Sequence, residues 1–161
     1  MLTVEFFLTS EERSAINALV SHYPVPRAAC IDVLKLAQKN HRYISDKILN
    51  EIANILGMSI AELDEVATFY NLIYRQPVGE TVILLCDSIT CWMLGRNKIA
   101  EDIRERLAIN DGETTADGQY TLLPIVCLGH CDHAPVMLMG QTLIGDLNSD
   151  KIKQLLPKAG A

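Results

Sequence analysis

The chain has 161 residues, 49% of them hydrophobic and 21% charged, with a formal net charge of −6 at neutral pH. That apolar content is ample for one domain or for two small adjoining ones. The acidic balance, with no Lys/Arg cluster anywhere, argues against a nucleic-acid backbone as the partner and disfavours membrane attachment through basic residues.

The first half reads as successive helices. Thr9-Ser-Glu-Glu12 is a capping-box signature, and the helix it opens carries Ala15, Ile16, Leu19 and Val20 on one stripe before Tyr23-Pro24 ends it. Pro26 stands at the entrance of a second helix reaching about Asn40, with Cys30, Val33, Leu34 and Ala37 on its apolar face. Ser45 starts a third, with Ile48, Leu49, Ile52, Ile55 and Leu56 inward and Gly57 as its stop. Ser59-Ile-Ala-Glu62 is a second capping box, for a fourth helix through Leu63, Val66, Ala67 and Tyr70. Four short helices joined by short turns predict an antiparallel bundle over residues 1–75, or a three-helix core with an extra arm.

The pattern changes after Arg75, where Gln76-Pro-Val-Gly79 reads as a linker. Residues 81–85 are a short, apolar, β-rich run that delivers Cys86 at its end. A helix is expected over about 93–108, with Ile99, Ile103 and Leu107 inward. Asp111-Gly112 and Asp117-Gly118 are turn signals, and a second strand follows over 120–126. A hairpin is expected across Gly140-Gln141, and a last helix, capped by Ser149, with Ile152, Leu155 and Leu156 inward. The order strand, helix, strand, hairpin, helix over residues 80–161 fits a small α/β layer that resembles a thioredoxin-like fold. The fold class as a whole is α+β, a helical bundle followed by that domain. The apolar runs at 82–86 and 122–128 are far too short to cross a bilayer. The first seven residues have neither signal-peptide nor transit-peptide character. A soluble, cytoplasmic protein is expected.

Five cysteines in such a compartment do not read as a disulfide framework. Cys86-Asp-Ser-Ile-Thr-Cys91 and Cys127-Leu-Gly-His-Cys131 form two pairs, each beginning at the end of an expected strand. Four thiolates converging from two loops make a tetrathiolate site of the kind that holds a 2Fe–2S cluster or a structural zinc. Zinc commonly takes a C-x-x-C knuckle in each half, and dithiol exchange also uses C-x-x-C. The wider spacings here suit two metal atoms that each need a pair of thiolates. Gly95 and Gly129 are candidates to bring backbone N–H groups to the sulfurs. Asp87 and Asp132, if they face the cluster, disfavour adding an electron. His130 and His133 read as loop residues beside a site already filled by cysteines, and Cys30 reads as a core residue of the second helix.

At these residues the chain resembles a known family. Asp117-Gly-Gln-Tyr-Thr121, followed after five residues by Cys127-Leu-Gly-His-Cys-Asp-His-Ala-Pro135, is similar to the signature of the NuoE-type 2Fe–2S subunit of bacterial respiratory complex I, the NADH:quinone oxidoreductase. Val66-Ala-Thr-Phe-Tyr70 and the Cys86–Cys91 segment resemble the same family. The resemblance implies one 2Fe–2S cluster, with Cys86, Cys91, Cys127 and Cys131 as its ligands and no catalytic residue in this chain. It implies an electron-transfer subunit that docks on a flavin subunit binding FMN and NADH, beside a neighbouring iron–sulfur subunit. It also implies a place peripheral to the inner membrane. The chain shows no glycine-rich dinucleotide fingerprint or P-loop of its own, so NADH oxidation is expected of the assembly and not of this chain alone. The same site in a stand-alone ferredoxin, or in an NAD-linked hydrogenase or formate dehydrogenase, is the alternative. For docking, the N-terminal half offers Tyr43, Phe69, Tyr70, Tyr74 and Arg75 as interface candidates.

Overall fold

The computed structural model describes residues 7–158. Residues 1–6 and 159–161, which the expected domain bounds include, lie outside the described residues. The chain divides into two compact units, one ending at Pro77 and the other beginning at Val78.

The first unit holds α1 (Ser10–Val20), α2 (Cys30–His41), α3 (Asp46–Leu56) and α4 (Ile60–Phe69). Both capping boxes form. Thr9 Oγ1 accepts from the Glu12 N–H at 3.1 Å while the Glu12 carboxylate accepts from the Thr9 N–H at 2.8 Å. Ser59 and Glu62 repeat the exchange at 3.2 and 2.9 Å. Each box satisfies donors that a helix start leaves unpaired. Gly57, at φ +64°, closes α3 in the left-handed conformation that a side chain resists.

The core gathers Ile16, Val33, Leu34, Ile44, Leu49, Ile52, Leu63 and Ala67. Cys30 packs half-buried against it. Pro26 opens a 3-10 turn, Pro26–Ala29, and the α-helix proper begins only at Cys30. Of the stripe expected on α1, only Ile16 is fully buried, and Ala15 faces solvent. Tyr70 lies past the end of α4 and is exposed, not inward. Arg75 is tied into this unit. Its guanidinium donates to Asp64 at 2.7 Å, to Asp46 at 2.6 Å and to the Ile44 carbonyl, so of the interface candidates it serves the bundle itself. Tyr43 and Tyr74 are half-buried, and Phe69 is 81% exposed.

The second unit is a four-stranded sheet in the order β2-β1-β3-β4. Its strands are β1 (Thr81–Cys86), β2 (Tyr120–Ile125), β3 (Met137–Met139) and β4 (Thr142–Ile144). β1 and β2 run parallel, in register from Thr81 opposite Tyr120 to Cys86 opposite Ile125. The connection between them carries α5 (Ile89–Met93) and α6 (Arg96–Leu107), as a parallel pair requires a crossover. β3 pairs antiparallel with β1, and β4 with β3. The helix α7 (Ser149–Leu155) follows. Ile83 and Leu85 of β1, Leu122 of β2 and Met137 of β3 pack with Ile99 and Ile103 of α6 and Ile152 of α7 as one core.

Two expected boundaries move. The helix expected over about 93–108 begins at Arg96, and Gly95, at φ +99°, separates it from a preceding helical turn, Ile89–Met93. α7 is capped by Asn148, whose side-chain oxygen accepts from the Lys151 N–H at 2.9 Å, and Ser149 is its first helical residue. The Ser149 hydroxyl instead donates to Asp102 at 2.5 Å, joining α7 to α6.

Candidate metal centre

The parallel pairing of β1 and β2 decides where the cysteines go. Strands that run side by side in register end at the same edge of the sheet. Cys86 is the last residue of β1, and Cys127 comes two residues after the end of β2. Cys91 sits inside α5, a single helical turn closed by the Trp92 N–H donating to the Ser88 carbonyl at 2.9 Å. It is therefore on a helix rather than in the open loop that its spacing suggests. Cys131 begins the 3-10 turn Cys131–His133. Cys86 and Cys91 are each 1% exposed and pack with Val136, flanked by Leu128 and Ala134. Cys127 and Cys131 face solvent. The site is thus a half-buried rim, with two sulfurs inside and two at its mouth.

Three of the thiols, Cys91, Cys127 and Cys131, are shifted by their surroundings. Burial, with Cys86 adding to it, pushes the Cys91 thiol up to about 11. Cys127 is shifted down, because the Gly129 N–H points at its sulfur across 3.4 Å and the Cys131 thiol adds a second donor. Cys131 is shifted up in turn by its neighbour Cys127. The Ser88 hydroxyl favours the thiolate of Cys127, and that of Thr90 favours the thiolate of Cys131, so residues of the first cysteine segment serve the sulfurs of the second. A cation binding here displaces protons that Cys91 holds tightly and Cys127 loosely.

The donor set fits a two-metal cluster. The Cys127 and Cys131 sulfurs stand 3.4 Å apart. Two thiolates on one tetrahedral metal with bonds of ~2.3 Å lie about 3.8 Å apart, so this pair has only a few tenths of an ångström to open. Among the described residues no group of three or more His, Cys, Asp or Glu side chains is gathered closely enough to hold a single metal ion. Cys127 and Cys131 approach as one such pair, and two irons that each take two thiolates need pairs.

The residues around the sulfurs divide into those that serve them and those that hold the loops. Gly129, at φ +76°, turns the second loop and presents its N–H to sulfur. Gly95 does not, since its N–H goes to the Trp92 carbonyl. His130 and His133 stack at 4.5 Å between ring centroids. The His133 Nδ1 lies 2.9 Å from Asp146, and Asp132 sits 3.5–3.6 Å from both rings. Contact with Asp146 shifts His133 up. Gly145 passes so close beneath that a Cβ there would stand 2.5 Å from the His133 Cβ. The hairpin that carries Gly145 therefore props the turn bearing Cys131.

The Asp117–Thr121 stretch does a different job. Thr121 is buried, and its hydroxyl accepts from the Gly79 N–H at 2.7 Å and pairs with Thr114 at 2.7 Å. Asp117 accepts from the Gln119 N–H at 3.0 Å, forming the turn. That part of the signature aligns the start of β2 with β1 rather than touching the sulfurs. One further residue escapes a reading of the sequence: Arg96, buried at the head of α6 with its guanidinium 3.5 Å from Asp87.

The second unit thus combines a mixed four-stranded sheet, its crossover helices and two cysteine pairs that follow neighbouring parallel strands. The family described as thioredoxin-like 2Fe-2S ferredoxin matches residues 16–160, and the chain belongs to it. Curated relatives are named as subunits of NADH-quinone oxidoreductase. The relative in Pseudomonas aeruginosa is 42% identical over 96% of this chain and 93% of its own length. In Escherichia coli K12 the relative is 41% identical over 97% of this chain and 94% of its own. Among solved structures, the NAD+-reducing NiFe hydrogenase in its air-oxidised state superposes with a TM-score of 0.69 at 21% identity. The match covers 79% of this chain and 22% of that one, and it shows a shared fold.

Proposed function

We propose that Cys86, Cys91, Cys127 and Cys131 hold one 2Fe–2S cluster and that the chain is the electron-carrying, NuoE-type component of an NADH:quinone oxidoreductase. The cluster supplies a one-electron carrier. The observation that carries the reading is the convergence of the two cysteine pairs at the shared edge of β1 and β2, with Cys127 and Cys131 3.4 Å apart at its mouth. The chain's own residues do the rest. Cys86 and Cys91 anchor one side in apolar surroundings, and Gly129, Ser88 and Thr90 donate toward the outer sulfurs.

The partner is a flavin subunit that binds NADH, with a neighbouring iron–sulfur subunit alongside, and the assembly sits against the inner membrane. Ile89, Trp92, Met93 and Leu94 on the first cysteine segment and Val126 beside Cys127 are 56–72% exposed. These exposed apolar side chains, next in the chain to the cysteines, support a permanent partner over a ferredoxin that works alone in water. In the helical unit Phe69, Tyr70 and Leu72 are exposed together and support a docking role. No helix among the described residues is long and apolar enough to cross a membrane, so attachment runs through the partners.

Anaerobic purification tests the proposal. The protein is expected to be reddish-brown, with about two irons and two sulfides per chain, to give a one-electron-reduced 2Fe–2S signal after dithionite, and to co-purify at fixed stoichiometry with a flavin-containing chain. A colourless protein with one zinc per chain would overturn the cluster assignment. A monomer from native lysate would overturn the complex.

A further inference from the structure

Among the described residues Arg96 is the only charged residue that the fold buries, at 7% exposure. It opens α6 directly after Gly95, on the stripe that continues through Ile99, Ile103 and Leu107 into the core. Its Nε stands 3.5 Å from an Asp87 oxygen without the alignment of a hydrogen bond. Its Nη2 stands 3.8 Å from Asp111. Asp111 is more closely engaged by Arg104, at 2.7 and 3.1 Å. Asp87 directly follows Cys86 and donates its backbone N–H to the Ile125 carbonyl at 2.7 Å. The guanidinium therefore approaches, from inside the protein, the side chain next in the chain to one proposed ligand.

A buried cation left with loose partners has given up much of its hydration, and negative charge nearby is what stabilises it. Arg96 and Arg104 together match the charges of Asp87 and Asp111. The acidic residue beside Cys86, which alone would oppose an added electron, is thus offset from within. We propose that Arg96 is a positioning residue for electron transfer, holding Asp87 at the Cys86 turn and cancelling its charge so that the site accepts an electron more readily. This rests on the assignment of the cluster to the four cysteines. Reduction adds one electron, drawn in the test from dithionite, and so one unit of negative charge, which nearby positive charge favours.

The test is potentiometric titration of the full chain, purified anaerobically, followed by the reduced-cluster signal, with iron and sulfide analysis and thermal melts on the same samples. Arg96→Gln is expected to lower the reduced-to-oxidised ratio at fixed ambient potential about tenfold, a midpoint about 59 mV more negative for one electron. Arg96→Lys, which keeps the charge, should stay within about threefold of wild type. Asp87→Asn should move the ratio the opposite way, and Arg96→Gln with Asp87→Asn should return toward wild type. An Arg96→Gln protein with a full cluster, a lowered melting temperature and an unmoved midpoint would reduce Arg96 to structural support and overturn the proposal. Should Arg96→Gln fail to retain its cluster, Asp87→Asn decides, because an unmoved or more negative midpoint there also overturns it. Wild-type protein lacking two irons per chain would overturn the cluster assignment, and this inference with it.

Discussion

The backbone N–H of Gly129 points at the sulfur of Cys127 across 3.4 Å, so the glycine that turns the second cysteine loop also favours the first thiolate of that loop. A side chain at φ +76° is strained, and the same backbone geometry aims the N–H at sulfur. Turn and ligand are thus one feature, and the behaviour of the cysteines follows from it.

Replacing Cys86, Cys91, Cys127 or Cys131 singly by Ala is expected to abolish or destabilise the cluster, since each sulfur belongs to one of the two pairs at the β1/β2 edge. Cys30→Ala should leave cluster content unchanged, because Cys30 packs against the helical core of the other unit. Iron and sulfide analysis with the reduced-state spectrum checks both. Loss of the cluster from a folded Cys30 variant would mean that the ligand set is drawn wrongly.

Gly145→Ala should impair the site from outside it. The added Cβ would meet the His133 Cβ at 2.5 Å and the His133 carbonyl at 2.8 Å, and backbone cannot yield as a flexible side-chain tip can. The overpacking cost is about 1–3 kcal/mol, and it falls on the turn that begins at Cys131. Lower cluster occupancy, with the β-sheet signal of circular dichroism retained, is the expected outcome. Full occupancy would show that the turn moves independently of the hairpin.

Arg75→Met is expected to destabilise the helical unit and leave the cluster spectrum untouched. The guanidinium is 17% exposed and holds Asp64, Asp46 and the Ile44 carbonyl. Its loss leaves that carbonyl without its charged donor, at about 2 kcal/mol. Asp46, being 94% exposed, adds little. Denaturant unfolding followed by far-ultraviolet circular dichroism measures the change.

Acid should weaken the α6–α7 contact through Asp102. Lys98 at 2.8 Å, together with the Ser149 hydroxyl, holds this carboxyl below its ordinary value of 3.8. The folded state then binds the proton less readily than the unfolded chain. The stabilisation is complete above the ordinary value and is lost as pH falls through the depressed one. Asp102→Asn is expected to cost about 1 kcal/mol near neutral pH and to converge with wild type in acid. Melting curves from pH 6 to pH 2 test this, and a constant gap between the two proteins would exclude Asp102 as the group responsible.

Much of the fold is legible in local pattern because its causes are local. The capping boxes at Thr9 and Ser59 need only residues three apart to exchange hydrogen bonds. The misplacements also have local causes. Gly95 reads as a sulfur neighbour, whereas its left-handed backbone separates α5 from α6. Ser149 reads as a cap, but Asn148 beside it does the capping. Arg96 lies one turn before Ile99 on the stripe that runs into the core, yet a charged residue at a helix start ordinarily reads as solvated.

The two cysteine pairs, their spacing and the order of strand and helix that leads to each are legible along the chain, because those are properties of neighbouring residues. Where the pairs lie in space is a matter of long-range packing. That depends on β1 and β2 running parallel in register over residues about forty apart in the chain. The tertiary structure also decided that Cys91 rides on a helical turn, that Thr121 secures the start of β2, and that the charge of Asp87 is answered from within. Such contacts depend on which distant groups packing brings within a few ångströms, and no local pattern of residues carries that information.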